Sequence, residues 1–421
     1  MVEEKITQTI LVVGGGISGV TTAIEAAEAG YQVVLVEKNP YLGGRVAQLN
    51  QYFPKLCPPY CGLEINFKRM KNNSNIRFFT MAEVESISGQ EGNFDVAVKI
   101  RPRYVNEKCT ACGKCAEACS MEIPNPFDYD LGKIKAAYLP HDLAFPMRFV
   151  LDPALASSPE GETVKTACPY DAIDLTMSPK SFTLNVGAIV WATGWSPFDA
   201  GQVEYYNYNK CSNVITNVMM ERLAAKNGPT GGKIVRPSDG KLVMNVAFVQ
   251  CAGSRDENFQ PYCSGVCCLA SLKQSTYVRA QDPAAKATIC FIDIRAMERL
   301  EDFYVKVKGD ENVTFIKSKI AKITQNPNTG DVTLEGEDTG AGKPFKMVVD
   351  MAVLATGMVP NTAKCPIPAA VNYDAYGFVP GDSGVPGIYT AGTVKRPNDV
   401  SACVQSATAA AVKAIQSVSR R

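Results

Sequence analysis

Histidine is almost missing from this chain: one residue, His141, in 421. It stands in a proline-rich stretch and is given no catalytic role, so a Ser-His-Asp arrangement is excluded. A charge excess is missing too. Lys plus Arg is 43 and Asp plus Glu is 42, a net charge of +1. That balance excludes a strongly basic protein held to nucleic acid by phosphate neutralisation. No apolar run approaches the roughly 18 residues needed to span a bilayer. The start, MVEEKITQTILVVGGG, lacks the basic stretch, apolar core and small-residue cleavage site of a signal peptide. These absences predict a cytoplasmic chain with no direct membrane span and no nucleic-acid partner.

Apolar residues at 46% and charged residues at 20% suffice for a sizeable core. The length predicts about three domains at roughly 150 residues each. Cysteine is abundant, at fifteen residues. A secreted scaffold so rich in cysteine is usually short. In a long chain without an export signal, thiolate ligation of a metal or cluster, or redox chemistry, is the leading reading.

Ile10–Val13 reads as a buried parallel strand. Gly14, Gly15, Gly16, Ile17, Ser18 and Gly19 follow, and an Ala-rich helix pattern runs from Ile17 to Ala29. A second apolar run, Gln32–Val36, ends at Glu37, with Lys38 next to it. The spacing fits a dinucleotide site. Gly14 makes the turn, Gly16 admits the pyrophosphate, and Gly19 lets the helix pack closely. The helix N-terminus meets the phosphates, and Glu37 accepts from a ribose hydroxyl.

Four later features favour FAD over NAD. Gly43-Gly44-Arg45 follows the second strand. A buried strand ends in Ala192-Thr193-Gly194. Val353-Leu354 leads into a similar Ala355-Thr356-Gly357. Gly387–Gly392 precedes an Ala-rich helix that opens near Ser401. Together they resemble the two-dinucleotide-domain flavoproteins of the thioredoxin-reductase type, which implies α/β architecture with two Rossmann-type domains. In that family the last glycine segment, here Gly392, covers the flavin pyrimidine end. An acid common after that glycine is replaced by Thr393. In the second dinucleotide-type domain, Val243–Val249 reads as the first strand. It is followed by Gln250-Cys251-Ala252-Gly253-Ser254-Arg255 rather than a glycine loop, which argues against NAD(P)H there.

Residues 94–101 and 181–186 look like strands flanking an inserted ferredoxin-like α+β domain. Cys109, Cys112, Cys115 and Cys119 follow the bacterial ferredoxin spacing. Cys119 lacks the usual following proline, and Cys168-Pro169 looks like the end of a second run whose first three cysteines are gone. In two-cluster ferredoxins the fourth cysteine of each run serves the other cluster. The favoured ligand set for one [4Fe-4S] cluster is therefore Cys109, Cys112, Cys115 and Cys168. The contiguous set ending at Cys119 is the rival.

Cys251, Cys263, Cys267 and Cys268 have neither ferredoxin nor zinc-ribbon spacing. From spacing alone a cluster pocket, buried structural thiols and zinc all stay open. Cys57 and Cys61 read as two buried thiols near FAD, with a redox pair as the alternative. Cys211, Cys290, Cys365 and Cys403 read as core residues. The expected domains are 1–101, 180–214 and 351–421 for FAD, 102–179 for the insertion, and 215–350 for the second dinucleotide-type domain.

The segments QCAGSRDENFQPYCSGVCCLASLKQS, LGGRVAQLNQYFPKL, CTACGKCAEAC and AGTVKRPNDVSACVQSATAAAVKA resemble the A-type subunits of heterodisulfide reductase. The resemblance implies that Cys251, Cys263, Cys267 and Cys268 bind a second [4Fe-4S] cluster beside the flavin, with Lys273 near the flavin ring. The chain departs from full-length members: its second ferredoxin run is nearly erased and it carries no C-terminal ferredoxin extension. In this it looks most like the A-type component of the quinone-interacting membrane-bound oxidoreductase complex of sulfate reducers. That likeness implies B-type and C-type partner subunits and a peripheral place on the inner face of the membrane. It also implies an electron path from menaquinone, reached through one of those partners, to adenylylsulfate reductase. The alternatives are a free-standing NAD(P)H-dependent disulfide reductase using Cys57 and Cys61, an electron-bifurcating subunit, and a cofactor-poor structural subunit.

Overall fold

The computed structural model describes residues 7–419. The chain divides into two compact units. The second comprises residues 48–56 and 196–359, and the first comprises the remainder.

The first unit is built on a five-stranded parallel sheet in the order Ile388–Thr390, Ala188–Trp191, Thr9–Val13, Gln32–Glu37, Ile76–Thr80. The central strands are largely apolar because both faces are covered. One face carries the helices Ile17–Glu28 and Val400–Ser419, whose small residues Ala23, Ala27, Ala410 and Ala414 allow close packing over Ile10, Val12 and Leu35. The other face, with Leu11, Val34 and Ile189, packs on Phe94, Val96 and Val98 of a three-stranded antiparallel sheet.

That antiparallel sheet is where the insertion leaves and returns. Asn93–Ile100 and Lys180–Val186 pair along their lengths, Ile100 opposite Lys180. The residues between them hold two short hairpins, Glu122–Pro124 with Lys133–Lys135 and Ala137–Tyr138 with Val150–Leu151. The short helices Lys114–Glu117, Pro153–Ala156 and Pro159–Thr166 complete it. Asp152 caps the second of these through the Ala154 amide at 2.8 Å. The insertion has its own core of Phe149, Leu151, Leu155, Val164 and Ile173.

The second unit is a seven-stranded sheet. Val214–Thr216, Met351–Thr356, Asn245–Ala252, Lys286–Phe291 and Val313–Gln325 run parallel; Val332–Asp338 and Lys343–Val349 extend the edge antiparallel. Three segments fall outside their expected domains, residues 48–56 among them. Met351–Thr356, assigned above to the FAD-binding part, is a wholly buried strand between two strands of the second sheet. Residues 196–214 also belong here, because Phe198, Val203, Tyr206 and Val214 fill the same core as Val249 and Leu354.

Residues 48–56 join the second unit through a buried polar network. The Glu221 carboxylate accepts from the Asn50 amide at 3.0 Å and pairs with the Lys273 ammonium at 3.1 Å. Lys273 also donates to the Gln51 carbonyl, and Arg222 donates to the Gln48 carbonyl at 3.3 Å. Glu221 and Lys273 are 2% and 4% exposed, so each charge depends on the other. Glu221→Ala leaves a buried ammonium unpaired and should cost about 3–5 kcal/mol, read as a lower urea midpoint. Glu221→Leu combined with Lys273→Met removes the unpaired charge but still strands the Asn50, Gln274 and Tyr277 donors, so it should recover only part of that loss.

Candidate functional site

The first strand of the first unit runs straight into the glycine turn. Gly14 sits at φ +107, where a Cβ would lie 2.4 Å from the Ala192 carbonyl oxygen. A Cβ on Gly19 would lie 1.7 Å from the Gly14 oxygen. Gly16, in contrast, has nothing nearer to its would-be Cβ than Gly44 at 4.0 Å, so the backbone there is open to a large group. Gly16 is also the N-cap of helix Ile17–Glu28 and supplies no side-chain cap. The first helical amides are thus left for an anion.

Glu37 closes the turn. Its carboxylate accepts from the Gly15 amide at 2.5 Å and the Asn39 amide at 2.7 Å. Burial pushes its pKa up despite these amides. Ala192, Thr193 and Gly194 lie at the end of the neighbouring strand. The Asn361 side chain donates to the Thr193 carbonyl at 2.7 Å, and its backbone amide donates to the Gly194 carbonyl at 3.1 Å.

Gly392 sits at φ +65, and a Cβ there would lie 2.1 Å from Ser18 Oγ. Its amide donates to Ser406 Oγ at 3.0 Å. Thr393 is 4% exposed with no partner for its hydroxyl. An open glycine backbone, an uncapped helix start and an orphaned buried hydroxyl fit FAD. Gly14–Gly19, Glu37 and the 43–45 loop would hold it on one side, Ala192–Gly194 and Gly392-Thr393 on the other. Lys38 and Ser401, expected in the same set, are exposed side chains at its margin.

In the insertion, Cys109, Cys112, Cys115 and Cys168 line one shallow cavity with Tyr170 and Ile173. Cys119 does not line it. Its thiol is 3% exposed and donates to the Met121 carbonyl at 3.5 Å. The turn after it is closed by Glu160, which accepts from the Ser120 and Met121 amides. Sequence reasoning did not single out Glu160. Amides of Ala111 and Ala172 donate to the sulfurs of Cys109 and Cys168, each at 3.4 Å. Burial pushes the Cys115 thiol up to about 12, and the neighbouring Cys109 and Cys112 add to it. The buried Cys115 thiol resists ionisation until cations arrive. Iron supplies that charge, and amide-to-sulfur bonds suit a thiolate cluster.

The second cysteine set stands at the end of strand Asn245–Ala252. The strand breaks register after Val249, and Cys251 takes a left-handed backbone at φ +55. Such a conformation is costly without glycine and marks functional turns. Cys267 and Cys268 open the helix Cys267–Gln281. Burial raises the Cys251 thiol to about 11, with Cys268 adding to it; Cys267 is raised further, by burial and then by Cys268, Cys251 and Cys263. In each case neighbouring thiols of the same set add to the effect of burial.

The Gly265 amide donates to Cys263 sulfur at 3.3 Å, Cys267 donates to the Thr356 carbonyl at 3.5 Å, and Cys268 lies 3.7 Å from the Asp293 carbonyl. The loop is fastened to the adjoining strand end. Ser264 Oγ accepts from the Met358 amide, and Gln260 donates to the Met358 carbonyl, both at 2.8 Å. Gly357 permits this approach, since a Cβ would lie 2.4 Å from Ser254 Oγ. Arg255, four residues beyond Cys251, bonds to that thiol and pairs with Asp293. It was not foreseen, although its place in the loop that replaces the glycines could have drawn attention.

Among the described residues no group of three or more His, Cys, Asp or Glu is gathered tightly enough for a single metal ion. A four-iron cube holds its ligands on outer corners and spaces them more widely. Lys273 is buried on the same helix, 5.9 Å from the centre of the Tyr277 ring and paired with Glu221. Cys57, before helix Tyr60–Lys71, is half-buried and Cys61, in its first turn, is exposed, not the two buried thiols expected.

Residues 9–60 match the family model described as FAD dependent oxidoreductase. The thioredoxin reductase of T. acidophilum superposes with a TM-score of 0.51 at 16% identity, covering 98% of both chains. That of Lactococcus lactis gives 0.54 at 12%, covering 98% of this chain and 99% of its own. These likenesses show the fold. The family match and the sheet topology together give an FAD-dependent oxidoreductase with a thioredoxin-reductase-like fold.

The second iron–sulfur A-type subunit of the CoB–CoM heterodisulfide reductase of Methanopyrus kandleri is 37% identical over 98% of this chain and 65% of its own length. The A-type subunit of the H2:CoB–CoM heterodisulfide,ferredoxin reductase of Methanothermobacter thermautotrophicus is 36% identical over 96% of this chain and 63% of its own. The chain therefore spans just under two thirds of the length of these relatives. Over nearly its whole length it is similar to the A-type subunits of heterodisulfide reductase.

The cysteine placement yields a paired test. Cys168→Ser should lower iron by about four atoms per chain, whereas Cys119→Ser should leave iron and the reduced-state EPR spectrum unchanged. Iron analysis and EPR of the two variants read the difference.

Proposed function

We propose that this chain is the FAD- and iron–sulfur-carrying electron-transfer subunit of a multi-subunit oxidoreductase. It holds two [4Fe-4S] clusters, one on Cys109, Cys112, Cys115 and Cys168 and one on Cys251, Cys263, Cys267 and Cys268. One observation carries this reading. The end of strand Asn245–Ala252, where a nicotinamide-binding domain has its phosphate loop, is occupied by cysteines gathered around a left-handed Cys251.

A flavin exchanges one or two electrons and a cluster exchanges one, so carrying both in one chain interconverts pairwise and single-electron transfer. The chain's residues bind, orient and shield these groups. Gly14–Gly19 and Gly392 admit backbone to the cofactor. The buried thiols exclude water, and amide-to-sulfur bonds adjust the potentials. Lys273 contributes a buried positive charge held in place by Glu221, which favours a proposed part in flavin chemistry.

The names of the relatives describe components of larger reductases, which supports partner subunits here, of B and C type by the resemblance. The nearly erased second ferredoxin run supports the closer likeness to the sulfate reducers' complex. On that reading electrons pass between a menaquinone-linked membrane module and adenylylsulfate reductase in the cytoplasm. Among the described residues no helix is long and apolar enough to cross a membrane, so contact with quinone falls to a partner.

Purified protein should carry one FAD and about eight irons with matching sulfide. NADH or NADPH should leave the flavin's visible absorption unbleached. Rapid bleaching by either would favour the disulfide-reductase alternative.

A further inference from the structure

The insertion does more than carry a cluster: the tip of one of its hairpins is built into the flavin loop. The strands Glu122–Pro124 and Lys133–Lys135 are joined by residues 125–132, and Asn125 staples this loop. Its side chain accepts from the Phe127 amide at 3.1 Å and donates to Asp128 at 2.7 Å. Its carbonyl accepts from the Asp130 amide at 3.0 Å, and its own amide donates to the Gly132 carbonyl at 2.9 Å.

Tyr129 and Asp130 both take left-handed backbone conformations, at φ +54 and +61, without being glycine. Two successive residues of this kind are held there only by their surroundings. The result points Phe127 and Tyr129 to one place. Phe127 is 4% exposed and shares a cluster with Val46, Ala47 and Leu63, against which Ile17 packs. Its ring meets Tyr41 edge-on at 5.4 Å.

Tyr129 engages Arg45, the arginine of the Gly43-Gly44-Arg45 loop. Arg45 Nη1 donates to the Tyr129 hydroxyl at 2.9 Å, and its guanidinium carbon lies 5.4 Å from the Tyr129 ring. On another side Arg45 Nε donates to the Trp195 carbonyl at 3.2 Å, with the Trp195 ring at 5.7 Å. A free arginine on a surface loop samples many rotamers. This one has its planar fork fixed by two acceptors and two aromatic rings.

We propose that Tyr129 is a positioning residue for the flavin: through its hydroxyl the insertion fixes the Arg45 guanidinium and so sets the flavin's reduction potential. The inference rests on the proposed role of Arg45 in holding FAD. A fixed cation favours the more negative, reduced state of a neighbouring flavin. Releasing it lowers the potential.

The test uses the full, FAD-loaded chain with its clusters. Tyr129→Phe keeps the ring and removes only the hydroxyl. The flavin midpoint potential should fall, with FAD content and the cluster EPR signals unchanged. In an Arg45→Ala background the same substitution should produce no further shift. If Arg45→Ala lowers the potential and Tyr129→Phe does not, the inference about Tyr129 is overturned while the role of Arg45 stands. If Arg45→Ala alters neither FAD content nor potential, the reading of Arg45 fails and the inference falls with it.

Discussion

A parallel sheet of this kind has one privileged place: the carboxyl end of its first strand, where chain direction, helix start and sheet edge converge on a crevice. What the backbone puts there decides what can bind. In the first unit that place is glycine, with amides unencumbered by side chains and a helix start without its own cap. In the second unit it is cysteine, and the strand must bend through a left-handed residue to bring the sulfurs in. The same architecture therefore serves two chemistries. Amides and a helix dipole suit a pyrophosphate; on the proposed reading, the cysteines would take a cation-rich cluster.

Burial gives the second choice its force. Cys115, Cys251 and Cys267 lie in surroundings that disfavour a lone thiolate, and each is made worse by its neighbours. Such groups are poor nucleophiles and poor disulfide exchangers. On the proposed reading they would become favourable ligands once iron neutralises them together. Cys119 shows the contrast within one domain. It is equally buried, yet it lies outside the cavity that Cys109, Cys112, Cys115 and Cys168 line, and its turn is closed by Glu160.

Much of the fold was legible in the chain because its signals are local. Ile10–Val13, the glycine turn and the following helix are contiguous, and each glycine answers to a contact within a few residues or across one strand. The ferredoxin run is legible for the same reason. What was not legible depends on partners far along the chain. The repeat of Ala-Thr-Gly after residue 191 and after residue 354 looks alike, but only strand pairing tells that Met351–Thr356 lies in the second sheet. Nothing in QLNQYFPKL marks residues 48–56 as part of the second unit, since the residues that hold them, Glu221, Arg222 and Lys273, are far distant in sequence. The contact between Arg45 and Tyr129 spans 84 positions and has no motif of its own. Arg255 lay within a segment already singled out, but its side chain could be assigned to Cys251 and Asp293 only in three dimensions.

The central claim is that cysteine sulfur, rather than glycine amide, meets the cofactor at the end of strand Asn245–Ala252. Anomalous diffraction at the iron edge, from crystals grown without oxygen, tests it most directly. The account predicts a compact iron peak enclosed by Cys251, Cys263, Cys267 and Cys268. A vacant position there in iron-replete protein, or a nicotinamide nucleotide lying in its place, would contradict it.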